Sequence, residues 1–149
     1  MPEYTQGTFT AHGIKAYNPA GALSRLADKL SVSQAIILPP SARLVVTSGQ
    51  CGFNEDLSLP SDKREQILKL FTNADKTLRE AGCTDGLKNV YQYTMYYPEM
   101  EDEFVEALIS ARNEHFGDNR PTTTGVTVAG LWGGAILEIT FYAYIPHNS

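Results

Sequence analysis

Two cysteines, three histidines and one tryptophan among 149 residues exclude several kinds of chemistry. Cys51 and Cys83 are too few and too far apart for a disulfide framework or a thiolate metal site, and burial as small hydrophobes is the better reading of both. His12, His115 and His147 lack metal-ligand spacing, and no serine or cysteine nucleophile can be matched to them. Glycine patterns for a phosphate loop or a dinucleotide fold are missing, so no cofactor is expected. No apolar run approaches the roughly 18 residues of a membrane span; the longest cover residues 35–40 and 135–139. No basic-then-apolar leader opens the chain, and a cytoplasmic location is expected. Positive charge is also scarce: a net charge of -5 without a basic stripe argues against a phosphate-dominated, nucleic-acid-binding surface.

What is present reads as one ordinary globular unit, since 42% hydrophobic and 19% charged residues give a chain of this length enough apolar surface to build a core. Ile67, Phe71, Ala74, Leu78 and Ala81 recur at helical spacing, with Ser61 after Pro60 as the expected cap and Gly82 as the stop. A second helix is expected from Met100 or Glu101 to His115 or Phe116, with Phe104, Leu108 and Ala111 on its buried face. Strands are expected at 35–38, 44–48, 90–97, 125–128 and 135–145, the first two joined as a hairpin through Pro39-Pro40-Ser41-Ala42. In the last strand Ile136, Glu138, Thr140 and Tyr142 share one face, and Leu137, Ile139, Phe141 and Ala143 share the oilier one. The pattern predicts an α+β fold, a mixed sheet with both helices on one face. Residues 1–30 form an N-terminal extension to a domain over 31–149. In it, Asn18-Pro19 is expected to start a short helix carrying Leu23, Leu26 and Leu30, and residues 4–12 alternate weakly like an added strand. Two roles are open for this arm, packing on its own subunit or covering a cleft.

Several blocks stand in one order: Ser33-Gln34-Ala35, then Leu44-Val45-Val46-Thr47-Ser48-Gly49-Gln50, a helix closing on Ala81-Gly82, Arg120-Pro121, and Ile136-Leu137-Glu138-Ile139. Over residues 31–146 the chain resembles the Rid (reactive intermediate deaminase, YjgF) superfamily. That resemblance implies a chorismate-mutase-like fold, a homotrimer and ligand clefts between neighbouring subunits. It also implies chemistry in which an arginine after Pro-Ala holds the carboxylate of a 2-imino acid while water hydrolyses the imine. Here Thr123 of Pro121-Thr122-Thr123-Thr124-Gly125 stands at that arginine, and Glu138 stands at the family's strand glutamate, with no gap between them.

A threonine hydroxyl donates one hydrogen bond and cannot replace the charged, bidentate grip of arginine. Arg120 is expected not to substitute for it, because an extended segment turns it to the opposite face from Thr123. Ser31-Val32 replaces the family's Pro-Tyr, and Gly125 replaces a bulkier residue, so the cleft is expected to be wider and more neutral. The expected ligand is larger or uncharged, contacted by Ser48, Gly49, Cys51 and Thr123 and stacked on Tyr91, Tyr93 or Trp132. Glu138 is the candidate acid and base. Its structural alternative is an ion pair with the next subunit. Three functional classes remain: a hydrolase of an imine, enamine or carbonyl compound without a free carboxylate; an isomerase or cyclase using Glu138; and a non-catalytic small-molecule-binding trimer.

Overall fold

The structure, a computed structural model, describes residues 7–147. Its elements are α1 (Thr8–Ala11), β1 (Lys15–Tyr17), α2 (Ala22–Leu30), β2 (Ala35–Ile37), β3 (Arg43–Val46), α3 (Lys63–Glu80), β4 (Val90–Tyr97), α4 (Asp102–Phe116), β5 (Thr122–Thr127) and β6 (Glu138–Ile145). Short 3-10 turns occupy Gly86–Asn89 and Trp132–Gly134. Four strands form a mixed sheet in the order β3-β6-β4-β5, parallel between β4 and β5 and antiparallel elsewhere. A parallel neighbour cannot be reached by a tight turn, and α4 is the crossover that joins β4 to β5.

Both long helices lie on one face, as the apolar periodicity requires. Phe71 and Leu78 of α3 and Phe104 and Ala111 of α4 are buried against Tyr93 of β4 and Ile139, Phe141 and Ala143 of β6. The start of α3 is fixed one residue later than expected: the Asp62 carboxylate, not Ser61, accepts from the Glu65 amide at 3.0 Å. A carboxylate there also complements the helix dipole.

Three local expectations are corrected. β2 and β3 do not form a hairpin: β2 pairs with β1, and β3 pairs with β6. Consecutive prolines have fixed negative φ and cannot supply the positive φ of a tight hairpin, so the turn at 39–42 carries the chain from one sheet to the other. Asn18 does not cap α2, which starts at Ala22 after Gly21; its side-chain oxygen instead accepts from the Gln34 amide at 2.9 Å. Residues 8–11 form a helical turn rather than a strand, and Tyr4–Gln6 of that expectation lie outside the described residues.

The other sheet face is covered at one end only. Phe9 and Ile14 of the N-terminal arm bury Tyr144, and His12 Nδ1 lies 2.8 Å from the Tyr144 hydroxyl. Thus the arm packs on its own chain. Beyond it, Leu44 and Val46 of β3 remain 65% and 64% exposed, an apolar strip on an otherwise threonine- and tyrosine-bearing surface.

Candidate functional site

Glu138 opens β6, beside an irregularity in the neighbouring edge. β3 pairs with β6 up to Val46 opposite Tyr142, and Gln50 bridges Ile139 further along. The edge segment therefore carries one residue more than β6 does, a bulge at Ser48-Gly49 that re-aims side chains as bulges do. Its flanks are fixed: the Phe141 amide donates to Thr47 Oγ1 at 3.1 Å, and Gln50 N donates to Ile139 O at 2.8 Å.

The Glu138 carboxylate fills the space this bulge opens. A Cβ placed on Gly49 would lie 2.5 Å from Glu138 Cδ and Oε2, so the position admits only glycine while the carboxylate stays where it is. Cys51 Sγ donates to Glu138 Oε1 at 3.6 Å. Burial, and secondarily the charge of Glu138, push the Cys51 thiol from 9.0 up to about 12. At neutral pH Cys51 is therefore a neutral weak donor and not a nucleophile. Glu138 is half-buried and makes no ion pair with a cation among the described residues.

The predicted residues divide into two groups. Gly49, Cys51 and Glu138 are together, and Ser48 is exposed at the bulge beside them. Trp132, 73% exposed on its turn, packs edge-on against Phe53, two residues beyond Cys51, with ring centroids 5.4 Å apart. Thr123 is not with them. It pairs in register with Tyr93 on the helix-covered face, whereas Glu138 pairs with Tyr96 on the other. One chain therefore holds the two on opposite sides of its sheet.

Tyr93 is placed where it cannot stack on a ligand: it is fully buried, packed between Phe116 and Phe141. Burial raises its phenol pKa, while the charge of Arg112 pulls it back. Tyr91 is half-buried and packs towards the N-terminal arm. Arg120 forms an ion pair with Asp28 of α2 at 2.8 Å.

The side chain that sequence reading missed is Arg112. It stands on α4 with its guanidinium 5.8 Å from the centre of the Tyr93 ring, and its Nη2 donates to Leu30 O and Ser31 O at 2.6 and 3.2 Å. Its only signal in the sequence was a place four residues after buried Leu108, on the margin of the apolar helix face.

Comparison with known proteins agrees with this architecture. The family model described as endoribonuclease L-PSP matches residues 24–145. The RutC family protein YjgH of Escherichia coli K12 is 34% identical over 109 residues, covering 72% of this chain and 80% of that protein. A solved structure of protein YjgH is 32% identical with a TM-score of 0.62, over 88% of this chain and 95% of the other. The Rid-family protein YyfB of Yersinia pestis shares the fold at a TM-score of 0.71 and 20% identity, over 89% of this chain and 98% of the other. With the ordered sequence blocks, the mixed sheet and this family match, the chain belongs to the Rid/YjgF superfamily, the endoribonuclease L-PSP family.

Proposed function

We propose that this protein is a divergent Rid-family hydrolase. It takes up a small reactive imine, enamine or related carbonyl compound without a free carboxylate, in a cleft between subunits of a homotrimer. Glu138 is its acid and base. The observation that carries this reading is the Glu138 carboxylate itself: half-buried, set on Gly49 and the Cys51 thiol, and bound to no cation among the described residues. A structural surface glutamate would normally sit in water or pair with a base.

The separation of Thr123 and Glu138 on two sheet faces supports a shared cleft, because a site using both must draw them from different subunits. The exposed strip of Leu44 and Val46 supports an interface on the same sheet. In the reaction, Glu138 takes a proton from water as the oxygen bonds to the C=N carbon. The nitrogen, protonated in turn, leaves as ammonia when the carbinolamine collapses to the carbonyl product. The imine and one water are thus converted to a carbonyl compound and ammonia. Cys51 stays a thiol throughout. The expected partners are a small molecule and other copies of the chain, and the net charge of -5 disfavours a phosphate-rich partner such as nucleic acid.

The test is Glu138→Gln, which keeps shape but removes the titrating group. Ammonia release from an imine generated in situ should fall by ~10²-fold or more with the oligomer intact. Unchanged release with an intact oligomer would return Glu138 to a structural role.

A further inference from the structure

Of the three aromatic side chains expected to stack on a ligand, Tyr93 is fully buried and Tyr91 packs towards the N-terminal arm, which leaves Trp132. Tryptophan is on average a well-buried residue, yet this one is 73% exposed and still held in place. Its turn is closed by the Gly134 amide, which donates to Leu131 O at 3.1 Å. Gly133, at φ 69°, lies so close to Phe53 that a Cβ there would stand 3.3 Å from that ring. The indole meets the Phe53 ring at an interplanar angle of 72°, with centroids 5.4 Å apart. An edge-to-face contact covers at most one indole face, so the other is open to a further ring.

The backbone joins this aromatic pair to Glu138. Gln50 and Ile139 exchange both backbone hydrogen bonds, at 2.8 and 3.0 Å, which sets Cys51 beside Glu138. The Phe53 Cα is then at most about 7 Å from that of Cys51. Asn73 of α3 fixes the segment by donating to Cys51 O and Phe53 O, each at 3.0 Å. The Trp132 side is tied to the same helix, because Ile136 N donates to Gln66 Oε1 at 2.9 Å. A ligand whose reacting group sits on the Glu138 carboxylate therefore meets an aromatic surface with its body. Negative charge prevails there: Glu138 has no cation partner among the described residues, Glu55 and Asp56 follow Phe53, and Lys76 is paired with Glu55 at 3.8 Å. An indole face is itself the negative side of a quadrupole. Both disfavour an anionic ligand.

We propose that Trp132 selects the substrate of the Glu138 site, and that this substrate carries a planar aromatic or conjugated body, uncharged or protonated, stacked on the open indole face. The inference rests on the reading given under Proposed function and names its substrate class, an imine or carbonyl compound conjugated to a ring. Offset stacking on the indole adds about threefold to tenfold in affinity over burial of an aliphatic body of equal size. Phe53 is the positioning residue, since its ring, set against Gly133, fixes the tilt of the indole.

Trp132 is the chain's one tryptophan, so its emission and its indole N–H resonance each report on this position alone. Acrylamide should quench the emission of the free oligomer. Benzamide should then bind saturably and move the indole N–H resonance by its ring current, whereas cyclohexanecarboxamide, equal in size but not planar, should bind about threefold to tenfold more weakly. Benzoate, with the same ring and a negative charge, should bind at least about fivefold more weakly than benzamide. Trp132→Leu should erase the preference of benzamide over cyclohexanecarboxamide in calorimetric titrations, with a thermal midpoint close to that of wild type because the side chain is exposed. Equal or tighter binding of cyclohexanecarboxamide or benzoate, an unchanged preference in Trp132→Leu, or no saturable benzamide binding would each overturn the proposal. So would emission that acrylamide cannot quench, which would mean that another copy of the chain covers the indole. These titrations involve no turnover: if Glu138→Gln keeps its ammonia release while benzamide still stacks, the catalytic reading falls and the stacking site stands.

Discussion

Replacing Glu138 by Gln should alter a neighbour that reports on the site without any substrate, the Cys51 thiol. Cys51 is pushed from 9.0 to about 12, first by burial, then by the Glu138 charge and by the hydrogen bond at 3.6 Å. Only the thiolate is alkylated. At pH 9.0 an ordinary thiol is half ionised, whereas one with a pKa of about 12 is ionised in roughly one molecule in a thousand. Glutamine removes the charge and leaves the burial, which lowers the Cys51 pKa and raises its alkylation rate at a given pH. Cys83 is the internal control, because burial alone pushes it to about 11. Iodoacetamide labelling followed by peptide mass spectrometry at several pH values reads both thiols in one sample. Equal rates for Cys51 in the two proteins, or a parallel rise at Cys83, would refute the placement of the Glu138 carboxylate on the thiol.

Gly49→Ala should fold but displace Glu138, since the added Cβ meets the movable end of that side chain at 2.5 Å; a shift of about 1 Å costs on the order of 10²-fold in turnover, measurable as ammonia release. Asp62→Ala removes the cap of α3 and should lower stability by about 1 kcal/mol in urea melts. Cys51, Cys83 and Tyr144 all have raised pKa values in the folded chain. The stability they contribute is whole below their ordinary values and is lost as pH rises above about 9 towards the folded ones, so thermal midpoints should fall between pH 8 and pH 11. Light scattering should give three times the 16.4 kDa chain mass, and Leu44→Asp with Val46→Asp should yield monomer; a wild-type monomer would remove the shared cleft.

The sequence carried the long elements well because their signals are local. α3, α4 and β4 follow from the spacing of Ile67, Phe71, Ala74 and Leu78, from Phe104 and Ala111, and from the Tyr- and Thr-rich run at 90–97. Pairing partners were less legible. β3 reaches β6 across about a hundred residues, and although Pro39-Pro40 argues against a tight hairpin, nothing within 35–48 names the partner of either short strand. Glu138 was correctly put on the less oily face of its strand. Its separation from Thr123 was hidden, because the face of β5 depends on how the α4 crossover returns the chain. Arg112 was hidden for a related reason: on a helix margin an arginine looks solvated until α2 and β5 close over it.

The proposed hydrolysis uses Glu138 and needs no carboxylate beside the reacting carbon. The direct measurement is a comparison of 2-iminobutanoate with its neutral carboxamide, both generated in situ and corrected for uncatalysed hydrolysis, on wild type and Glu138→Gln. The neutral imine should be hydrolysed with the higher kcat/KM, and Glu138→Gln should abolish most of that excess. A faster reaction with 2-iminobutanoate, or a neutral imine turned over equally by both proteins, would contradict it.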